Sequence, residues 1–363
     1  RALDKIGEGT LVFAGSGSNT YTGNTNVYQG TLRLAKTGGA QAIPTGASYL
    51  QIGNDSGMGS SDVVELAGAD QIGDGVRLEM RASGRFDLNG YNETIGELNM
   101  YAGASGAMGA LVDVEGATLT LSGTSKLGMY SQTTWAWSPV ALITDTSAGE
   151  TGRLNLGTTA HNFDASNPLP TVDGVIAVPL TAGAGGGFTK VTGGSTILLA
   201  ADNSGYTGAV TINAGYLAAD RSTSLGPAST TINISGGAGL QAIMNDAENP
   251  THAPVVIPNN FTLNSDLTIV GILDQALELQ GKFTVSGGTR TINVYNLAPV
   301  TFSGTGANAG GISFDINTQS LNFFNQPGTL TTVSGKITSP GATNPSAASI
   351  TKTNTNGNVN GTG

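Results

Sequence analysis

Among the acids, Asp55, Asp62, Asp70, Asp74, Asp87 and Glu93 are the candidates for chemistry. Hydrolysis of a glycosidic bond needs two carboxylates facing each other across one cleft. These acids stand on separate short turns with no recognisable spacing, so they read as solvated loop acids. The stretches "GNDSGMGSSD" (53–62) and "DQIGDG" (70–75) offer oxygen ligands for calcium, which a polysaccharide lyase would want beside a basic residue. Neither follows the EF-hand pattern or the Gly-rich nonapeptide calcium repeat. No cofactor is expected, and calcium is the one ion with candidate ligands. His161, in "TTAHNFDAS", lies close to Asp164 and could join one of many serines in a nominal triad, but no nucleophile-elbow motif accompanies it. His252 sits in the proline-flanked "NPTHAPVVIP", and both histidines are expected at the surface. In "TAGAGGGFTK" (181–190) Val191 follows Lys190, where a phosphate loop needs Ser or Thr.

Aromatic residues give a second kind of candidate. "YSQTTWAWSPV" (130–140) contains both tryptophans, Trp135 and Trp137, on one face if the segment is extended. Exposed aromatics stack on sugar rings or anchor protein partners. The plainer reading is that they plug a local core under a loop. Phe323 and Phe324 in "SLNFFNQPG" are adjacent, so on a strand one faces in and the other out.

The elements that would position these residues are short and β-like. Of 363 residues, 55 are Gly and 11% are charged, while 38% are hydrophobic, which suits many thin core slices better than one thick core. The net charge of −10 and the lack of basic stripes exclude a binder of nucleic-acid phosphates. There is no Cys, so thiol chemistry and disulfides are absent. No apolar run reaches bilayer-spanning length, and no signal peptide opens the chain, which reads as a segment of a longer polypeptide. "GVRLEMRA" (75–82) sets Val76, Leu78 and Met80 against Arg77, Glu79 and Arg81. "GTLVFAG" (9–15) places Leu11 and Phe13 on one side, and "GTLRLA" (30–35) does the same with Leu32 and Leu34. Gly- or Asn-bounded runs of this kind recur throughout and argue for an all-β chain. The best helical window, "GILDQALELQG" (271–281), also reads as a strand through Leu277 and Leu279.

Sliding the chain by 185 residues aligns two stretches. Lys5, Gly9, Tyr21, Thr22, Gly23, Gly30 and Leu32 fall on Lys190, Gly194, Tyr206, Thr207, Gly208, Gly215 and Leu217. Ile6, Val12, Phe13 and Val27 fall on Val191, Ile197, Leu198 and Ile212. The chain therefore divides into a first repeat unit, 1–187, and a second, 188–363, continuous with it, and "SITKTNTNGN" (349–358) resembles a third start. Tyr21, Gly23, Gly30, Tyr206, Gly208 and Gly215 are read as corner residues, because a β-coil turns tightly where Gly relaxes the backbone. Asn and Thr at such corners can extend hydrogen-bonded ladders from coil to coil.

"GEGTLVFAGSGSNTYTGNTNVYQGTLRLA" (7–35) resembles the autotransporter-associated β-strand repeat, also called the passenger-associated transport repeat. "GGFTKVTGGSTILLAADNSGYTGAVTINAGYLAA" (186–219) is similar, departing at Ser204-Gly205 and at Tyr216. "GRFDLNGYNETIGELNM" (84–100) resembles the segment that commonly follows such repeats. The resemblance implies a right-handed parallel β-helix, an elongated β-solenoid, in a secreted or surface-displayed bacterial protein. With roughly 20 residues per coil it implies a rod on the order of 80–90 Å long. A structural or adhesive segment of a surface fibre or filament is the expected function, without enzymatic activity. Its expected partners are further repeats or other copies end to end, and surface glycan, with no nucleic acid. A carbohydrate-binding adhesin using Trp135 and Trp137 is the first alternative and a β-helical lyase or glycoside hydrolase the second; an array of globular β-sandwiches is the competing fold.

Overall fold

The computed structural model describes residues 2–103, 109–131, 140–167, 171–243, 253–271, 275–304, 312–314, 320–335, 337–338 and 349–354. They contain strands and no helix. They divide into two compact units: Arg1–Phe188 with Gly193–Ile197, and Thr189–Thr192 with Leu198–Gly363.

In the first unit each coil contributes one strand to each of two long sheets. The first sheet runs Leu3–Lys5, Thr25–Val27, Tyr49–Ile52, Arg77–Met80, Leu98–Ala102, Lys126–Ser131, Ala160–Asp164. The second runs Thr10–Gly15, Gly30–Lys36, Asp62–Leu66, Gly84–Asp87, Leu111–Asp113, Ala141–Thr144, Val172–Ile176. A third, shorter sheet closes the later coils with Glu93–Ile95, Thr118–Leu121, Arg153–Asn155 and Leu180–Thr181. Neighbouring strands in these sheets pair in parallel. This is a parallel β-helix, and antiparallel sandwiches are excluded.

In-register parallel pairing puts like residues above one another. Leu50, Leu78, Leu98, Leu127 and Phe163 form one buried column on the first sheet. Val64, Phe86, Val112, Ile143 and Ile176 form its counterpart on the second. Alternate residues face out, as the period of a strand requires: Val76, Leu78 and Met80 are buried while Arg77, Glu79 and Arg81 are partly exposed.

The second unit repeats the plan. Its first sheet runs from Ala209–Ile212 through Thr231–Ile234, Asn260–Leu263 and Phe283–Val285 to Ile312–Phe314 and Ile337–Thr338. Its second runs from Tyr216–Ala219 through Gly239–Ala242, Leu267–Gly271, Arg290–Val294 and Ser320–Asn325 to Ser349–Asn354. A third holds Val255–Ile257, Leu277–Leu279, Val300–Phe302 and Thr331–Val333, so the ambiguous window at 271–281 does contain a strand. Here phenylalanines fill the axis. Phe261 and Phe283 stack at 4.7 Å, and Phe302 meets both Phe283 and Phe323 edge-on. Phe323 is buried and Phe324 partly exposed, as adjacency on a strand demands.

Two expectations need correction. Leu11 and Phe13 do not lie in a closed core: Leu11 is 38% and Val12 48% exposed. Their strand, Thr10–Gly15, is the outermost of its sheet, so Leu11 and Phe13 stack on Leu32 and Leu34 from one side only. Coils are also longer than 20 residues in most places. Leu78 and Leu98 are in register 20 residues apart, but Leu127 and Phe163 are 36 apart, because the corners carry insertions.

Candidate functional site

Of the recurring residues, Lys5 and Gly30, with Lys190 and Gly215, build the corner from the first sheet to the second, whereas Tyr21 and Gly23, with Tyr206 and Gly208, lie on the segment that returns from the second sheet to the first. Lys5 is 7% exposed, yet its ammonium is saturated by backbone: it donates to the carbonyls of Ile6, Gly7 and Gln29. Lys190, fully buried, donates to the carbonyls of Val191, Thr192 and Ala214, which stand at the same offsets along the chain. The amide of Tyr28 donates to Lys5 O, and that of Asn213 to Lys190 O. A corner whose carbonyls converge needs a cation, since a buried unpaired acceptor is costly. The shared lysine was visible in the sequence only as an identity; the carbonyls it serves are backbone atoms and leave no residue signature.

Gly30 follows from the same geometry. Its φ is +66°, and a Cβ there would stand 2.5 Å from the backbone of Glu8. Gly215 has φ +68°. Gly7 has φ +79°, but its counterpart Thr192 holds φ +58°, a strained conformation for a β-branched side chain. Tyr21 bonds Thr25 through its hydroxyl at 2.7 Å, and burial pushes its ionisation up. Tyr206 is buried and donates to Ala209 O; its ring hydroxyl lies where a Cβ on Gly208 would project. Gly23 stands at the bend before Thr25–Val27.

The gapless offset fails over one strand. Leu11 and Phe13 face inward, whereas the buried residues of Thr196–Leu199 include Ile197 and Leu199. The outward Val12 therefore does not match Ile197: the second copy gains one residue before this strand and loses one before Tyr206.

Several polar candidates lie elsewhere than expected. His161 is 1% exposed; its Nε2 donates to Leu156 O, and its Nδ1 faces the hydroxyl and carbonyl of Ser125. Asp164 points to the other face of the same strand, where Tyr130 Oη donates to it at 3.0 Å, so the two do not form a dyad. His252 lies outside the described residues. Asp62 and Glu93 are buried rather than solvated, at 2% and 1% exposure. Ser83 and Ser61 donate to Asp62. Glu93 accepts the amides of Gln71 and Thr94, while burial pushes its carboxyl up to about 8. Burial also raises Asp87, against the pull of Arg85, which bridges Asp87 and Asp113. Asp113 is 1% exposed and bound by Thr146 as well. Asp55, Asp70 and Asp74 are exposed. Among the described residues no group of three or more His, Cys, Asp or Glu is arranged to hold a metal.

The outer face of the first sheet carries a polar ladder with aromatic rungs. Asn26 donates to Asp4, and Asn99 to Glu79 and Glu97. Tyr101 and Tyr130 lie 5.1 Å apart, with the Arg81 guanidinium 4.5 Å from the Tyr101 ring. Tyr130 folds back over Gly128, whose missing side chain makes room for the ring. The strand that carries Tyr130 leads into the insertion containing Trp135 and Trp137, and both tryptophans lie outside the described residues. Residues 53–61, 103–110, 132–140 and 165–171 each join a first-sheet strand to a second-sheet strand, while 37–48 and 67–76 return from the second sheet to the first.

Parallel coils, columns of like residues and a twice-built lysine corner define a β-solenoid with an internal repeat. Residues 3–34 and 188–219 each match the family model described as the passenger-associated-transport-repeat, so the chain carries this repeat twice. Each match takes in a first-sheet and a second-sheet strand from two successive coils, the smallest piece that can pair with itself. Comparison with curated proteins and with solved structures gave no match. Among the described residues no helix is long and apolar enough to cross a membrane.

Proposed function

We propose that this chain is a structural and adhesive segment of a secreted bacterial surface protein. The observation that carries the reading is the repeat matched at residues 3–34 and 188–219, folded as parallel coils. Stacked coils stiffen through their neighbours, since every backbone ladder is shared with the coil above and below. The segments that connect the strands can then vary as recognition loops without disturbing the columns. The partners in this reading are further repeats or other copies that pair strand to strand, end to end.

Catalysis is not part of this reading. Asp87 and Asp113 both engage Arg85, and Asp113 is buried. A glycan-binding adhesin is the second reading, favoured by the Tyr101–Tyr130 pair on the face that leads into the Trp135 and Trp137 insertion.

The test is antibody labelling and protease shaving of intact native cells. Labelling and cleavage without lysis are expected. Labelling that requires lysis would overturn the reading.

A further inference from the structure

The two repeat copies separate what the fold needs from what it does not. Lys5 and Gly30 recur as Lys190 and Gly215 and build the corner, while Tyr21 recurs as Tyr206 on the returning segment. Three neighbouring positions do not recur: Glu8, Tyr28 and Gln29 stand where the second copy has Gly193, Asn213 and Ala214. The next coil differs as well. Residues 53–61 link Tyr49–Ile52 to Asp62–Leu66, where the second copy has only 235–238 between Thr231–Ile234 and Gly239–Ala242. Residues that do not recur border one concavity of about 430 Å³, walled by Glu8, Tyr28 and Gln29 on one side and by the 53–61 insertion on the other.

We propose that this concavity binds a neutral oligosaccharide of about two sugar units. Its volume lies in the range of small-ligand sites. The lining combines polar groups with apolar surface, as a pyranose needs: the half-buried Tyr28 ring and Met58, 79% exposed, offer platforms for C–H faces. The Glu8 carboxylate, the Tyr28 hydroxyl, the Gln29 amide nitrogen and the Ser56 hydroxyl make no hydrogen bond with described residues and stand ready for sugar hydroxyls. The walls are held firmly. Lys5 fixes Gln29 O, Gln29 Oε1 accepts the Gly7 amide, and Asn54 donates to Tyr28 O. Anionic sugars are disfavoured by Glu8 and Asp62 together. A calcium ion is disfavoured because Asp62 already accepts from two serine hydroxyls, which leaves one free carboxylate where the ion takes six to eight oxygens.

The site stands independently of where the chain is displayed, so its failure leaves the structural reading intact. The experiment is binding of the full chain to an array of neutral and uronate-containing oligosaccharides, with affinities of the best neutral disaccharide measured by calorimetry. Selective binding of a neutral oligosaccharide is expected, weakened at least tenfold by Glu8→Gln and by Tyr28→Ala. Both positions tolerate change, because Glu8 is exposed and Tyr28 half-buried. Asn213→Ala, at the second-copy counterpart of Tyr28, is expected to leave affinity unchanged. No neutral ligand, a preference for uronates, or unaltered affinity in Glu8→Gln and Tyr28→Ala would each overturn the site. Binding lost only in the Trp135→Ala, Trp137→Ala double variant would overturn it too and favour the adhesin reading instead.

Discussion

The Lys5 ammonium reaches the carbonyl oxygen of Gln29, 2.7 Å away and one coil further along the chain. The same reach joins Lys190 to Ala214. A charged donor thus replaces the ladder hydrogen bonds that a corner cannot make. Lys190→Met leaves three part-buried carbonyls without this charged donor and is expected to destabilise by about 2–4 kcal/mol. Urea denaturation checks the total, and hydrogen exchange should show the loss first around Val191–Ala214. An unchanged midpoint would mean that the lysine only fills space.

Backbone strain at Thr192 gives a change of the opposite sign. Its φ of +58° suits Gly, the residue at the matching position 7. Thr192→Gly is expected to stabilise by about 0.5–1 kcal/mol, the strain relieved outweighing the added freedom of the unfolded chain. Gly30→Ala is expected to cost about 2–4 kcal/mol, since it combines φ +66° with a clash against the Glu8 backbone. Thermal melting of both variants beside the parent separates the two signs.

Much of this fold was legible in the sequence. Alternation in residues 30–35 and 75–82 marked the inward residues because each strand has one wet face. Pairing direction was not in the alternation; it was implied by the resemblance to the passenger-associated transport repeat carried by residues 7–35 and 186–219. His161 was misjudged because a polar residue among polar neighbours gives no sign of inward phase until the strand Ala160–Asp164 is placed. Asp62 and Glu93 were misjudged for a related reason. Their burial depends on serine and backbone donors contributed by other coils. The concavity beside Tyr28 was invisible, because it joins residues of three successive coils.

Glu93 sets a pH dependence. Its carboxyl rises from 4.5 to about 8 on folding, chiefly through burial. Between these values the folded chain keeps a proton that the unfolded chain has released, so stability falls as pH rises through that window. The slope for this group is about 1.4 kcal/mol per pH unit. Glu93→Gln is expected to flatten the dependence between pH 5 and 8, whatever its effect on stability at one pH. Denaturation midpoints measured at half-unit steps check it, and a parallel offset with the slope unchanged would assign the dependence to other groups.

The phenylalanine column of the second unit should respond as a packed core. Phe283 is 1% exposed between Phe261 and Phe302. Phe283→Ala is expected to cost about 3–5 kcal/mol. Limited proteolysis should then cut the flanking coils, and retained resistance would show that the column closes over the gap.

Parallel stacking in the stated register is the premise beneath all of this, and disulfide trapping tests it most directly. The chain has no cysteine of its own, so each introduced pair reports without interference. Gln51 is in register with Glu79, and Tyr49 with Arg77. Adjacent parallel strands lie about 4.8 Å apart, within disulfide reach, while a two-residue diagonal is about 8 Å and beyond it. On mild oxidation Gln51→Cys with Glu79→Cys, and Tyr49→Cys with Arg77→Cys, should each close a bond. Tyr49→Cys with Glu79→Cys, and Gln51→Cys with Arg77→Cys, should stay reduced. The reverse pattern would mean antiparallel strands and would contradict the coil.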